Sequence, residues 1–290
     1  MILELRLFFT ALQFFTRVPV PAWVGFEPAW LQACVRYFPL VGALVGAFGA
    51  LVLAAASLWW PPMVAVVLSM AATIWLTGGF HEDGWADTCD GLGCAVSRAR
   101  ALEIMKDSRL GAYGGIGLVL MLGLKASVLT ALLSPLLSEM SEAASSRVHQ
   151  VLLGWTLMGL FWSHTVSRLV PVLLTAALPY AGDPDHAKAK PLALGASKVS
   201  VAMAVVVTAL VAGGLIAWLG VIGWPVPTLL RCLMGSSVAA LLVTVWCARW
   251  FQRRLGGFTG DTLGASQQLA EVASLMAWLA VVHPVTWVRW

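Results

Sequence analysis

Apolar stretches close to the ~20 residues that carry a helix across a bilayer recur along this chain. They fall at about 36–59, 62–79, 114–136, 151–178, 199–222, 227–248 and 268–286. That recurrence predicts an all-α integral membrane protein of about seven transmembrane helices, organised as a single polytopic domain over residues 1–290. Composition agrees: 11% of residues are charged, less than half of the roughly one quarter found in soluble domains. Span 62–79 is the shortest and ends in Gly78-Gly79, and "WWPP" (Trp59 to Pro62) leaves room only for a hairpin before it. Many tryptophans stand near span ends, where interface anchors belong.

Residues 1–22 read differently. Leu3, Leu7, Ala11, Leu12 and Phe15 recur at helical spacing, interrupted by Glu4, Arg6, Gln13 and Arg17 and stopped by Pro19 and Pro21. This predicts a helix lying in the membrane interface, with a short first span as the alternative. The early charges and the missing small-residue cleavage site argue against a signal peptide.

Lysine and arginine set the orientation. One side collects Arg6, Arg17, Arg36, Arg98, Arg100, Lys106, Arg109, Lys188, Lys190, Lys198, Arg249, Arg253 and Arg254, whereas the other has Arg147, Arg231 and Arg289. The rich side is expected in the cytoplasm. These cations are scattered rather than clustered, so no nucleic-acid face is expected. Five cysteines at irregular spacings do not form a disulfide framework.

The acidic residues gather on the same side. Glu82, Asp83, Asp87 and Asp90 fall within nine residues, and Glu103, Asp107, Asp183, Asp185, Asp261 and Glu271 lie on or near that face; the other side has Glu139 and Glu142. Asp83, Asp87 and Asp90 stand at i, i+4 and i+7, one face of a helix if the segment is helical. Like charges this close repel, and a hard divalent cation such as Mg²⁺ would offset them. The competing reading is a polar loop whose acids face water. Calcium in an EF-hand needs acids at alternate positions, and zinc has no H-E-x-x-H or C-x-x-C here, although His81, Cys89 and Cys94 are nearby.

Other residues on this face suit phosphate chemistry. Lys106 and Arg109 can pair phosphate oxygens, with Asp107 between them as a possible local salt bridge. "GGFTGDTLGA" (Gly256 to Ala265) opens a helix with Thr259 and Asp261 and is not a P-loop. His164 and Arg168, at i and i+4 inside a span, are rare intramembrane ionisable residues, with Lys125 a weaker case; they serve a substrate pocket or form a structural pair. The predicted active-site loops are 80–113 and 249–267.

Several motifs occur in order: "FFTRVPVP" (Phe14 to Pro21), "YFPLVGALVG" (Tyr37 to Gly46), "TGGFHEDGWADTCDGLG" (Thr77 to Gly93), "RALEIMKDSRLGAYGG" (Arg100 to Gly115) and "GGFTGDTLGA". Together they resemble the cobalamin synthase (adenosylcobinamide-GDP ribazoletransferase) family over almost the whole chain. Trp85 and Thr88-Cys89 depart from the family pattern without touching a carboxylate. The resemblance implies a Mg²⁺-dependent enzyme of the bacterial cytoplasmic membrane, its site facing the cytoplasm. It would join adenosylcobinamide-GDP to α-ribazole or its 5′-phosphate, giving adenosylcobalamin or its phosphate and GMP. On this reading Glu82, Asp83, Asp87, Asp90 and Asp107 hold the metal, and one of the carboxylates between Glu82 and Asp90, or His81, takes the hydroxyl proton. Lys106, Arg109, Thr259, Asp261, His164 and Arg168 contact substrate. The lipid bilayer, further copies of the chain and other nucleotide-loop assembly enzymes are the partners it admits. A polytopic transporter and a lipid enzyme like the CDP-alcohol phosphotransferases are the alternatives. Ionisable residues massed at one face rather than mid-membrane speak against the first, and the different order of acids speaks against the second.

Overall fold

The structure, a computed structural model, describes residues 2–134, 142–182 and 195–283. Glu139, Asp183, Asp185, Lys188, Lys190 and Arg289 lie outside the described residues, as do the far ends of the spans expected to reach 136 and 286. Twelve α-helices are described: α1 (Ile2–Phe15), α2 (Pro28–Ala33), α3 (Phe38–Ala56), α4 (Pro62–Thr77), α5 (Phe80–Gly93), α6 (Arg98–Met105), α7 (Ala112–Leu133), α8 (Glu142–Ser167), α9 (Leu169–Ala177), α10 (Lys198–Val221), α11 (Val226–Leu255) and α12 (Gly260–Val282). Among the described residues there is no β-strand, only one isolated bridge between Tyr180 and Phe258.

Six helical stretches are long and apolar enough to cross a membrane: Pro28–Ala56, Ala112–Leu133, His149–Ala177, Lys198–Val221, Val226–Leu255 and Gly260–Val282. The bent pair α4 and α5 brings the number to seven. The expected all-α, roughly seven-helix membrane architecture is therefore what the chain builds. Its first helix has 14 residues, about 21 Å at 1.5 Å per residue, too short for a ~30 Å hydrocarbon core. It buries Leu7, Ala11 and Phe15 against Trp30, Phe38 and Val41 while Ile2, Leu3 and Leu5 stay exposed. Glu4 turns inward, pairing with Arg36 at 3.1 Å and accepting from the Tyr37 hydroxyl at 2.8 Å.

Two boundaries depart from the sequence reading, and both matter for the site. The segment 80–113 is not a loop over most of its length: α5 and α6 occupy it. The segment 249–267 narrows to a short turn, because α11 runs on to Leu255 and α12 already starts at Gly260. Hydropathy cannot see that second start. The first turns of α12 are polar, and what begins the helix is a capping box between Thr259 and Thr262.

The centre of the bundle is α12, which packs against α5, α7, α8, α9 and α11, while α3 packs against α4 and α8. The main apolar core runs through Leu129, Leu132, Leu160, Leu174, Phe251, Leu275 and Trp278. The helix α10 is mostly exposed along its length, as a lipid-facing outer helix would be.

Candidate active site

Two glycines turn the chain into the site. Gly78 and Gly79 both take the left-handed conformation, with φ of 69° and 71°, where a Cβ is costly. Gly78 closes α4, and the Gly79 N–H donates to the Ile74 carbonyl at 2.9 Å, the bonding of a Schellman-type stop. Helix α5 then leaves at 90° to α4. Gly79 keeps a carbonyl in the new helix, accepting from the Asp83 N–H at 2.9 Å.

Beyond this corner α5 crosses the start of α12 at very short range. A Cβ on Gly84 would stand 2.8 Å from the Asp261 carbonyl oxygen and 3.3 Å from the Gly264 Cα. The crossing sets the roles of the α5 side chains by the helical wheel. Asp83 is exposed, and Asp87 and Asp90 are half-buried, on the face that the i, i+4, i+7 spacing predicts. Asp261, in the first turn of α12, has its backbone against Gly84.

The other motif residues point elsewhere. His81, about two hundred degrees from Asp83 around the helix, is buried and stacks on Phe15 at 5.2 Å; its Nε2 has no hydrogen-bond partner. Glu82 turns toward α12, where Gln268 donates to its Oε1 at 3.1 Å, and its buried Oε2 has no hydrogen-bond partner. Asp90 caps the next span: its two oxygens accept from the Gly111 and Gly114 N–H groups, each at 2.8 Å. A carboxylate at a helix N-terminus is favoured there by the exposed amides and the helix dipole.

At the far end of α5, Arg254 of α11 donates to the Leu92 and Cys94 carbonyls at 3.1 and 2.7 Å. A cation on the last carbonyls complements the helix dipole. The site helix is thus held at its corner, at its crossing and at its tail.

Lys106 follows α6 and is exposed. Asp107 and Arg109 form a close exposed ion pair, with Arg109 Nη2 at 2.6 Å and Nε at 3.0 and 3.1 Å from the carboxylate. The guanidinium hydrogen bonds hold the Asp107 carboxyl down at about 2. Thr259 is buried and spent on the cap: its hydroxyl accepts from the Thr262 N–H at 3.2 Å, and the Thr262 hydroxyl accepts from the Thr259 N–H at 2.8 Å.

Behind this face lies a buried polar network that the sequence reading resolved only in part. Lys125 of α7 and His164 of α8 converge on Glu271 of α12, and Arg168, at the break between α8 and α9, joins them through His164. Lys125 forms an ion pair with Glu271, and His164 Nδ1 lies 3.1 Å from its Oε2. With Nδ1–H donating to that carboxylate, Arg168 donates instead to the His164 carbonyl at 3.1 Å. Gln267 donates to Glu271 at 2.6 Å and lies 3.0 Å from the Ser167 hydroxyl; Gln268 donates to the Gln267 amide oxygen at 3.1 Å. Glu271, expected on or near the cytoplasmic face, is 1% exposed and sits within the helix packing. The signal for it was present: three intramembrane cations require an anion.

The carboxylates do not make a ready cage. Among the described residues no three His, Cys, Asp or Glu side chains converge well enough to hold a metal ion. Glu82 faces Gln268, Asp90 caps α7 and Asp107 pairs with Arg109. Asp83 and Asp87 stand one turn apart on the same face of α5. Two carboxylate donors fit a magnesium ion, which takes one or two protein carboxylates and completes its shell with water and phosphate oxygens.

The chain matches the family model of cobalamin-5-phosphate synthase over residues 7–279. It is 52% identical over 279 residues to an adenosylcobinamide-GDP ribazoletransferase of Leptothrix cholodnii, covering 96% of this chain and 97% of that one. A protein of the same name from a Polaromonas species is 42% identical over 282 residues, with 92% and 94% covered. One from Shewanella pealeana is 38% identical over 286 residues, covering 98% of each. No solved structure matches the chain.

Proposed function

The chain belongs to the cobalamin-5-phosphate synthase family, and we infer from that premise that it is an adenosylcobinamide-GDP ribazoletransferase acting in assembly of the cobalamin nucleotide loop. The observation that carries the reading is the full-length match to relatives of that name. The α5 face supplies the chemistry such a transfer needs. A ribose hydroxyl of α-ribazole, or of its 5′-phosphate, attacks the phosphorus on the corrinoid side of the pyrophosphate. The new P–O bond forms, the bond to the guanosine-side phosphate breaks, and GMP leaves with the electron pair. Positioning and neutralisation of charge dominate such a step.

Asp83 and Asp87 would hold Mg²⁺, which when bound supplies neutralisation of the pyrophosphate charge. The hydroxyl proton passes to a carboxylate of α5 or Asp261 within reach of the attacking oxygen. Lys106 and Arg109 receive phosphate oxygens, Arg109 by exchanging its Asp107 partner for substrate. Glu82 and His81 serve from behind, through Gln268 and Phe15. His164 and Arg168 then act on substrate only through the network on Glu271. The excess of Lys and Arg at this end supports a cytoplasm-facing site in the bacterial inner membrane.

The deciding assay uses purified full-length protein, adenosylcobinamide-GDP, α-ribazole and Mg²⁺, with GMP measured. GMP release that a chelator stops and added Mg²⁺ restores is the expected result. Release that persists in chelator would overturn the metal assignment, and no release would overturn the activity.

A further inference from the structure

The end of α11 carries a feature to which the proposed transfer gives no role. Trp246, Arg249, Trp250, Arg253 and Arg254 line a hollow of about 430 Å³. Their spacing of i, i+3, i+4, i+7 and i+8 places them on one side of the helix. The Trp246 and Trp250 rings lie 4.8 Å apart. No ion pair is formed by any of the three arginines among the described residues.

Helix length places this hollow at a membrane boundary. The 30 residues of α11 span about 45 Å, against a ~30 Å hydrocarbon core. From its start to Val245 the helix exposes Met234, Val238, Leu241, Leu242 and Val245. That apolar stripe runs directly into the hollow, so acyl chains lying along the stripe bring a headgroup to the arginines. Tryptophan prefers this depth, and each surface arginine attracts an anionic lipid.

We propose that this hollow holds the phosphate of an anionic phospholipid. Arg249 and Arg253 take the phosphate oxygens, the tryptophans flank the glycerol region, and Arg254 stands between the lipid and the carbonyls of α5. A soluble phosphate would satisfy the arginines equally. The continuity with the exposed apolar stripe favours the lipid.

The test is retention of phosphatidylglycerol against phosphatidylcholine by the full-length protein, read by native mass spectrometry after extraction from mixed vesicles. It requires no catalytic activity and so stands apart from the proposed function. The wild-type protein should retain phosphatidylglycerol preferentially. Arg249→Gln with Arg253→Gln should weaken that preference by about twenty-five-fold, from about fivefold for each surface arginine. Arg231→Gln, at the opposite end of the same helix, should leave it unchanged, and Arg253→Glu alone should abolish it. Equal retention by wild type and the double variant would overturn the proposal. Displacement of the bound phosphatidylglycerol by inorganic phosphate would overturn it too, by making the hollow a soluble-anion site.

Discussion

Gly84 and Gly264 face each other where α5 crosses α12, so close that a Cβ on Gly264 would stand 3.4 Å from the Gly84 Cα. The two sides of the crossing are unequal. A Cβ on Gly84 meets a backbone oxygen at 2.8 Å, whereas one on Gly264 meets nothing nearer than 3.3 Å. Gly84→Ala should therefore force the helices apart, at about 1–3 kcal/mol, and depress transfer more than Gly264→Ala does. Rates on membrane-inserted protein check the order; equal effects would contradict the crossing.

Asp87→Asn removes a charge from the face that Asp87 shares with Asp83 without removing volume. Transfer should fall by about a hundredfold or more, the scale of losing one electrostatic contact to the transition state, with thermal unfolding little changed. A fully active Asp87→Asn protein would sink the metal assignment.

Asp90 should behave in the opposite way. Its oxygens cap α7, so Asp90→Ala should cost about 1–2 kcal/mol of stability, seen as a lower unfolding temperature, and Asp90→Asn should restore part of it. Loss of activity in Asp90→Asn at unchanged stability would instead assign this residue to the chemistry.

The buried ion pair gives a fourth test. Glu271→Gln leaves Lys125 without its anion in the bundle interior, and such a loss costs about 3–5 kcal/mol. Replacing both Lys125 and Glu271 by methionine should recover most of that stability. A double variant as unstable as the single one would mean that His164, the partner of Glu271 on α8, matters more than Lys125.

The exposed pair on the loop after α6 sets a pH expectation. The folded-state carboxyl of Asp107 is lowered to about 2 from its ordinary 3.8. Whatever it contributes is present above the ordinary value and is lost as pH falls through about 2. Asp107→Asn should therefore leave the shape of the pH–rate profile unchanged from mildly acidic to alkaline pH, while Arg109→Gln raises KM for the pyrophosphate substrate. A profile reshaped by Asp107→Asn would show that this carboxylate titrates in the working range.

How much of this the sequence discloses differs from residue to residue. The one-face spacing of Asp83, Asp87 and Asp90 is a local, periodic property, and the structure keeps it. The division of labour among the acids is not local. Gln268 lies 186 positions from Glu82, and the amides that occupy Asp90 lie 21 and 24 positions away. Glu82 and Asp90, carboxylates of one motif, thus acquire different partners only when the helices pack. The corner was half visible: Gly78-Gly79 marks a stop, but only the backbone shows a second helix leaving at a right angle. The burial of Glu271 was hidden because α12 starts earlier than hydropathy suggests, at its threonine cap, which leaves Glu271 three turns inside the helix.

The right-angle corner after Gly78 has one more consequence. The distance between Asp83 and Asp87 is dictated by helix pitch, and the rod that carries them is pinned at both ends and in the middle. The gauge of the site is thus cut before any substrate arrives. A corrinoid nucleotide docking there would have to conform to a fixed ruler, and the ordering cost of the reaction would fall on the traveller rather than on the host.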